Sequence, residues 1–240
     1  MKKLIIIFLL LAGSQLFAQS WKVVKGNGHL KKETRSVADF TSLVSHGPIN
    51  VKIEKGQSNQ IEVEADENIL PYIETKVENG KLTIQSKKNV NLKTNSKMIV
   101  YVSMTTIKSL QLSGSGNIET TGNFNGDDRA QIQLSGSGNI HLSSVSFKDV
   151  DFAISGSGNI VAKAGTADQV SVSISGSGNI YVSDIAAENV EVKISGSGNA
   201  KVSADKSLSA KISGSGNVFY KGSAKDISSK VAGSGKLIKI

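Results

Sequence analysis

Apolar and polar residues alternate along the second half of this chain, and the same short phrase, Ser-Gly-Ser-Gly-Asn, interrupts the alternation again and again. The residue before each phrase is apolar, from Leu112 in the first copy to Val231 in the last. The residue after the Asn is also apolar, and the alternation continues outward on both sides, with mostly polar residues between. Such period-two patterning predicts strands with one buried face. Each copy is therefore predicted to be a strand, a glycine turn, a second strand and a variable loop.

The phrase recurs at a nearly constant interval. A degenerate seventh copy spans Ala232 to Lys236, and the six intact copies begin at Ser113, Ser135, Ser155, Ser175, Ser195 and Ser213. Successive copies are 22, 20, 20, 20, 18 and 19 residues apart. A period of about twenty residues indicates a repeat architecture with one supersecondary unit per copy.

The turn residues suggest how the copies are arranged. Glycine takes positive φ without the steric cost of a Cβ, so two glycines around one serine allow a sharp reversal. If the copies stack as rungs, equivalent Asn side chains lie about 4.8 Å apart and can form an amide ladder. A series of antiparallel hairpins could use the same turns, but equivalent residues at a fixed register favour stacking. The predicted structural turn residues are Gly114, Gly116, Asn117, Gly136, Gly138, Asn139, Gly156, Gly158, Asn159, Gly176, Gly178, Asn179, Gly196, Gly198, Asn199, Gly214, Gly216 and Asn217.

The predicted fold is all-β, a right-handed parallel β-helix or solenoid built from these repeats. One coil of about twenty residues cannot fold alone, so burial against neighbouring coils must stabilise it, and the terminal coils are atypical. The seventh copy fits such an end, because Lys236 replaces Asn and Lys239 occupies an inward position.

The amino-terminal half is less regular but still predicts strands. Ile49, Val51 and Ile53 alternate with polar residues, and Glu78 to Lys81 is a strong hairpin signal around Asn-Gly. Residues 66–72 predict one helical turn stopped near Pro71, and residues 87–97 predict a basic loop. We expect a single β-solenoid domain over residues 19–240, with irregular strands or a cap over 19–110 and regular repeats over 111–240.

These residues resemble the head GIN domain family of putative auto-transporter adhesins from Gram-negative envelopes. The hallmark GSGNI phrase stands intact at Gly114–Ile118, Gly136–Ile140, Gly156–Ile160 and Gly176–Ile180, and residues 35–40 and 47–53 resemble the opening strands of the family. The resemblance spans nearly all of the chain after residue 18. It implies a superhelix of strands similar to the pectin-lyase type, and a role in adhesion.

The first eighteen residues predict export. Lys2 and Lys3 precede an apolar run from Leu4 to Ala12, and the segment reads as a secretory signal cut after Ala18. The alternative is a membrane anchor, but the run is shorter than the roughly twenty residues needed to span a bilayer. We therefore expect no transmembrane anchor after cleavage, and a location in the periplasm, at the cell surface or outside the cell. The chain has no Cys, so neither disulfides nor thiolate metal sites are available.

Charge and chemistry narrow the function classes. Without Lys2 and Lys3, 26 basic and 20 acidic residues leave a net charge of +6, which suits anionic glycans or lipid headgroups but is also ordinary for solubility. Nucleic acid is not an expected partner, because basic and aromatic residues do not interleave. The three His residues lack metal-site spacing. We expect no cofactor, no metal site and no enzymatic activity.

Acidic residues recur roughly once per copy in the variable loops, and this series allows two interpretations. It consists of Asp149, Asp168, Glu188, Asp205 and Asp226. Neighbouring lysines favour a solvated edge with balanced charges over a catalytic or calcium-binding column.

Two outward columns are candidate partner-binding residues. The first contains exposed aromatic residues, Tyr181 and Phe219, on which a sugar ring could stack. The second places Lys193, Lys211 and Lys230 at rung spacing, which suggests an anionic glycan or acidic protein partner, or simply charge protection of an open edge. The function predicted is an exported binding or adhesion module with a glycan or cell-surface protein partner, with homo-oligomers allowed. The alternatives are an envelope scaffold without a specific ligand and, less favoured, a polysaccharide-cleaving enzyme.

Overall fold

The computed structural model describes residues 21–240, so the predicted signal peptide of residues 1–18 lies outside the described residues. Apart from one 3-10 turn at Leu70–Tyr72, the regular structure of these residues is β. The strands are β1 Lys22–Lys25, β2 Leu30–Arg35, β3 Ser42–Gly47, β4 Asn50–Lys55, β5 Gln60–Asp66, β6 Ile73–Glu78, β7 Lys81–Ser86, β8 Val90–Lys93, β9 Ile99–Met104, β10 Ser109–Gly114, β11 Asn117–Thr121, β12 Asn123–Gly136, β13 Asn139–Leu142, β14 Ser144–Gly156, β15 Asn159–Ala162, β16 Gly165–Gly176, β17 Asn179–Tyr181, β18 Ile185–Gly196, β19 Ala200–Gly214, β20 Val218–Lys221, β21 Asp226–Gly233 and β22 Leu237–Lys239.

These strands form a parallel β-solenoid of about seven turns, which confirms the predicted fold. In each regular coil a long strand leads into the glycine turn, and a short strand leaves it. The long strands pair in parallel in the order β10, β12, β14, β16, β18, β19 and β21, and we call this the long-strand sheet. The short strands pair in the order β11, β13, β15, β17, β19, β20 and β22, and we call this the short-strand sheet. Strand β19 belongs to both sheets, because its first residues, 200–203, pair with short strands and its remaining residues pair with long strands.

The register of this stack is the one that the repeats predict. Ser135 pairs with Ser155 and Gly136 with Gly156, and Asn139 pairs with Asn159 beyond the turn. Equivalent positions of neighbouring copies therefore lie directly over one another. The inward positions are buried in every intact copy, from Leu112 to Ile212 before the turn and from Ile118 to Val218 after it.

The prediction that a variable loop follows each short strand is wrong. The residues that follow each short strand mostly continue as extended chain, because β12, β14, β16 and β18 begin well before the alternating segment and pair in parallel there too. In β12 this early run is separated from the main run by a shift of register between Gly126 and Arg129. The run supplies further core side chains, including fully buried Phe124 and Val145, so each coil buries three segments and not two.

The amino-terminal strands extend the same stack but do not follow chain order. β3 and β4 lie directly against β10 and β11, and their other edges pair in parallel with β7 and β9. The coil formed by β3 and β4 is therefore inserted between the coil of residues 81–104 and the first regular repeat. Beyond β7 and β9, the antiparallel strands β6, β5 and β2 close this end.

Local predictions in this half hold in part. The hairpin at residues 78–81 is confirmed, since β6 and β7 pair in antiparallel fashion and both Asn79 and Gly80 have positive φ. The helical turn predicted within residues 66–72 is present as a 3-10 turn, Leu70–Tyr72, which includes Pro71. The expected basic loop of residues 87–97 is wrong in its centre, because β8 lies there and pairs in parallel with β1 as a separate two-stranded sheet.

Candidate binding surface

The turns form a continuous edge between the two sheets. Each turn requires glycine at two positions, and the constraints at the two positions are not the same. In the third phrase the first glycine, Gly156, has φ +140, which only glycine adopts readily. The second, Gly158, does not lie in the positive-φ region, but a Cβ there would collide with the carbonyl oxygen of Gly138 in the preceding coil. That Cβ would also stand 2.7 Å from Cδ2 of Leu134. A Cβ at Gly156 would also collide with the carbonyl oxygen of Gly136. The first glycine is therefore required by both backbone conformation and close stacking, and the second by close stacking alone.

The predicted amide ladder is confirmed along this edge. Each Asn side chain donates its Nδ2 hydrogen to the Oδ1 of the Asn one coil below, at 2.9 to 3.2 Å. The ladder begins one rung earlier than the sequence predicted, because Asn117 donates to Asn50 at 3.0 Å. Gly47 and Asn50 have the same spacing as Gly114 and Asn117, and Gly47 also has positive φ. That spacing is the signal that could have identified this degenerate first copy.

The three candidate lysines do form a column on the outer face of the long-strand sheet. Lys193 pairs in register with Lys211, and Lys211 pairs with Lys230. All three side chains are exposed. Lys193 forms an ion pair with Glu191 at 2.8 Å, whereas among the described residues neither Lys211 nor Lys230 has an acidic partner. We call these three residues the lysine column.

A shallow groove lies on the same face, towards the amino-terminal end of the stack. Its volume is about 460 Å³. Its outward residues on successive strands are Val44, Gln111, Gln133, Ala153 and Ser173, in that order. Gln111 donates an amide hydrogen bond of 2.6 Å to Gln133, and the small side chains of Ala153 and Ser173 form the end nearer the regular repeats. Ser173 is the register neighbour of Lys193, so the groove leads directly into the lysine column.

The two aromatic candidates lie on the other side of the turn edge, on the short-strand sheet. Tyr181 pairs with Lys201, and Lys201 pairs with Phe219. The ammonium of Lys201 stands 5.2 Å from the ring centre of Tyr181 and 6.0 Å from that of Phe219, within the range of cation–π attraction. Sequence reasoning did not identify Lys201 as the residue that joins the two rings. The aromatic column and the lysine column therefore belong to different faces.

The acidic series lies in extended strands and not in loops, with part of its charge balanced by neighbours. Glu188 forms an ion pair of 2.6 Å with Lys206, and Asp205 accepts hydrogen bonds from Ser223. Among residues 21–240, no group of three His, Cys, Asp or Glu side chains is arranged to hold a metal ion. The same residues include no helix of the length and apolar character needed to cross a membrane.

Comparison with known proteins places this architecture. Residues 39–224 match the family described as "Putative auto-transporter adhesin, head GIN domain". A solved putative adhesin from Bacteroides fragilis is 22% identical with a TM-score of 0.85, over 90% of this chain and 100% of that one. One from Parabacteroides merdae is 28% identical with a TM-score of 0.73, over 91% and 99%.

A further solved structure carries a different description. It is a putative lipid binding protein from Parabacteroides distasonis, 29% identical with a TM-score of 0.76, over 91% of this chain and 100% of that one. No curated protein matches the sequence. The match over residues 39–224 covers most of the chain, and on that basis the chain belongs to the head GIN domain family of putative auto-transporter adhesins.

Proposed function

We propose that this protein is an exported, non-catalytic adhesion module of a Gram-negative envelope that holds an anionic glycan on the long-strand sheet. The observation that carries the proposal is the in-register lysine column at the end of the groove. Neighbouring strands lie about 4.8 Å apart, so the solenoid holds the backbone positions of the three lysines in a row of fixed direction. Carboxylate or sulfate groups along an extended acidic polysaccharide match such a row.

Charge protection of an open edge accounts for only one of these lysines. Lys230 lies on β21, which has a pairing partner on one side only, whereas Lys193 and Lys211 lie on strands paired on both sides. Like charges directly across from one another destabilise a sheet. An anionic ligand would remove that repulsion, and edge protection gives no reason for the two interior lysines.

The groove supports the glycan assignment by its shape. The small side chains of Ala153, Ser155 and Ser173, in the part that leads to the lysine column, let a chain of sugars approach the sheet closely, and the two serine hydroxyl groups offer hydrogen bonds to sugar hydroxyls. The aromatic column is a second contact surface in this proposal. Because Tyr181 and Phe219 face away from the groove, they would meet a different part of the partner or a second molecule.

The test is binding of the purified protein to an array of acidic and neutral glycans. Replacing Lys193, Lys211 and Lys230 with Gln should abolish binding to acidic glycans, and the wild-type signal should fall as salt screens the charges. The matched control replaces Lys108, Lys148 and Lys163 with Gln, which removes the same charge from exposed positions outside the lysine column. Equal binding by the two triple variants would refute the proposal.

The two alternative functions, an envelope scaffold and a polysaccharide-cleaving enzyme, predict different experimental results. A scaffold without a specific ligand predicts no selective signal on the array with wild-type protein. A polysaccharide-cleaving enzyme predicts new reducing ends when acidic polysaccharides are incubated with the protein. Protease treatment of intact cells tests the location, since complete protection of the protein would rule out adhesion to targets outside the cell.

A further inference from the structure

A small exposed face at the amino-terminal end of the stack combines one tryptophan with lysines. Strands β1 and β8 pair with Val23 beside Asn91 and Lys25 beside Lys93. Side chains alternate along a strand, and Val24, Val90 and Leu92 turn towards the core. The opposite side therefore presents Trp21, Val23, Lys25, Asn91 and Lys93, which we call the tryptophan face. Trp21 is 61% exposed and Val23 is 48% exposed.

The segments that form this face carry an unusual concentration of positive charge. Residues 21–27 and 86–97 contain six lysines and no Asp or Glu, although the whole chain has 28 basic and 20 acidic residues. Two of the six approach the ring of Tyr72 on the other side of the small sheet, Lys22 at 4.8 Å and Lys87 at 5.9 Å from its centre. The carboxylates that reach the segments are Asp66, bonded to Thr94, and Glu67, bonded to Asn27. The local excess is still positive.

We propose that the tryptophan face docks on the surface of an anionic lipid bilayer. Tryptophan favours the headgroup region, because its amphipathic ring contacts both the acyl chains and the hydrated headgroups there. Lysines around it are attracted to anionic headgroups. Two strands of four residues span only roughly 130 Å², whereas a standard protein interface buries roughly 800 Å² per partner, so a protein partner would have to contact further elements as well. A second copy of the chain would bring two positive clusters together.

Docking here leaves the proposed glycan surface free. Strand β8 lies between β7 and β9 in the chain, in the coil next to the amino-terminal cap, while Lys211 and Lys230 lie in the last coils of the stack. A molecule held at the tryptophan face would therefore present the coils of the lysine column away from the docking point.

The chain supplies its own reporter, because Trp21 is its single tryptophan. Vesicles of phosphatidylglycerol and phosphatidylcholine should shift the tryptophan emission to the blue, and brominated lipid should quench it. Vesicles of phosphatidylcholine alone should do neither. An unchanged emission spectrum in the presence of the anionic vesicles would overturn the proposal.

Variants separate this face from the overall positive charge. Replacing Lys25 and Lys93 with Gln should weaken vesicle binding about 30-fold. The matched control, Lys148→Gln with Lys163→Gln, removes equal charge from exposed positions in the regular repeats, outside both proposed sites, and should bind like wild type. Trp21→Ser, followed by vesicle sedimentation with circular dichroism as a check of folding, should lose most of the binding.

Other results would contradict the proposal. Equal loss in both lysine pairs would mean that net charge alone attracts the protein. A lipid-free dimer that Trp21→Ser dissociates would assign the face to a second copy, and binding to an acidic protein but not to vesicles would assign it to a protein partner.

Discussion

At the scale of single residues, stacking imposes demands that one coil alone would not make. The backbone of Gly158 passes so close to that of Gly138 that the space for a side chain is already occupied. Ser157, between the two glycines of the same turn, is exposed and carries no such constraint. The repeated phrase identified Gly156, Ser157 and Gly158 as turn residues. Which of them tolerates a different side chain depends on contacts with the neighbouring coil, which the phrase alone does not show.

Gly158→Ala tests this stacking requirement directly. The added methyl group would collide with the carbonyl of Gly138 and crowd Leu134, so we expect a loss of about 3 kcal/mol in the free energy of unfolding, as for an overpacked core. Ser157→Ala, one residue away in the same turn, should change it by less than about 0.5 kcal/mol. Urea denaturation of the two variants makes the comparison. Similar midpoints would show that the coils can separate to admit a side chain.

At the scale of elements, the sequence predicted those strands whose evidence is local or repeated. The alternation around each phrase located the inward residues, and the Asn79-Gly80 pair located a hairpin. It did not predict that β3 and β4 insert between β9 and β10, or that β1 pairs with β8. These pairings join segments far apart in the chain, and no periodicity within one segment specifies its distant partner. The repeat pattern does place Lys201 between Tyr181 and Phe219 in one outward column, but the contact of its ammonium with both rings depends on side-chain conformation, which the pattern does not specify.

The antiparallel cap contains a hydrogen bond that makes its stability depend on pH. Tyr101 on β9 donates its hydroxyl hydrogen to Oε2 of Glu64 on β5 at 2.8 Å. This hydrogen bond, together with burial and the charge of Glu64, raises the pKa of Tyr101 above its ordinary value of 10.0. The neutral phenol is thus favoured by folding, so its stabilisation is complete below pH 10 and is lost as the pH rises through the raised pKa.

We therefore expect the free energy of unfolding to fall above about pH 10, and Tyr101→Phe to remove part of that fall. The hydrogen bond between Lys32 and Glu62 also raises the pKa of Lys32, so some alkaline sensitivity should remain in the variant. Tyr181→Phe, on a strand of the regular repeats, provides the control. Chemical denaturation of the three proteins across this pH range measures the effect, and identical pH profiles for wild type and Tyr101→Phe would count against it.

At the scale of the whole molecule, the two ends of the stack are closed differently. Antiparallel strands β2, β5 and β6 cover the amino-terminal end. At the other end, β21 and β22 each pair on one side only, and Ile227 and Val231 are 39% and 41% exposed. Lysines in this last coil, such as Lys236 and Lys239, oppose edge-to-edge association. In a solenoid each coil is stabilised by its neighbours, so a coil with one neighbour should open more readily.

This asymmetry predicts a gradient of stability along the stack. Amides of β14, β16 and β18 should exchange most slowly with solvent, those of β21 and β22 fastest, and those of the covered end should be intermediate.

Two substitutions at equivalent positions test the same gradient by comparing a buried side chain with an exposed one. Ile174 and Val231 both precede the turn phrase, but Ile174 is 1% exposed. Ile174→Asn should cost about 4 kcal/mol, because it buries an unpaired amide in the core, whereas Val231→Asn should cost less than about 1 kcal/mol. Hydrogen exchange by mass spectrometry, with urea denaturation of both variants, measures the two effects. Equal costs, or an equally protected last coil, would mean that something covers the carboxy-terminal end in solution.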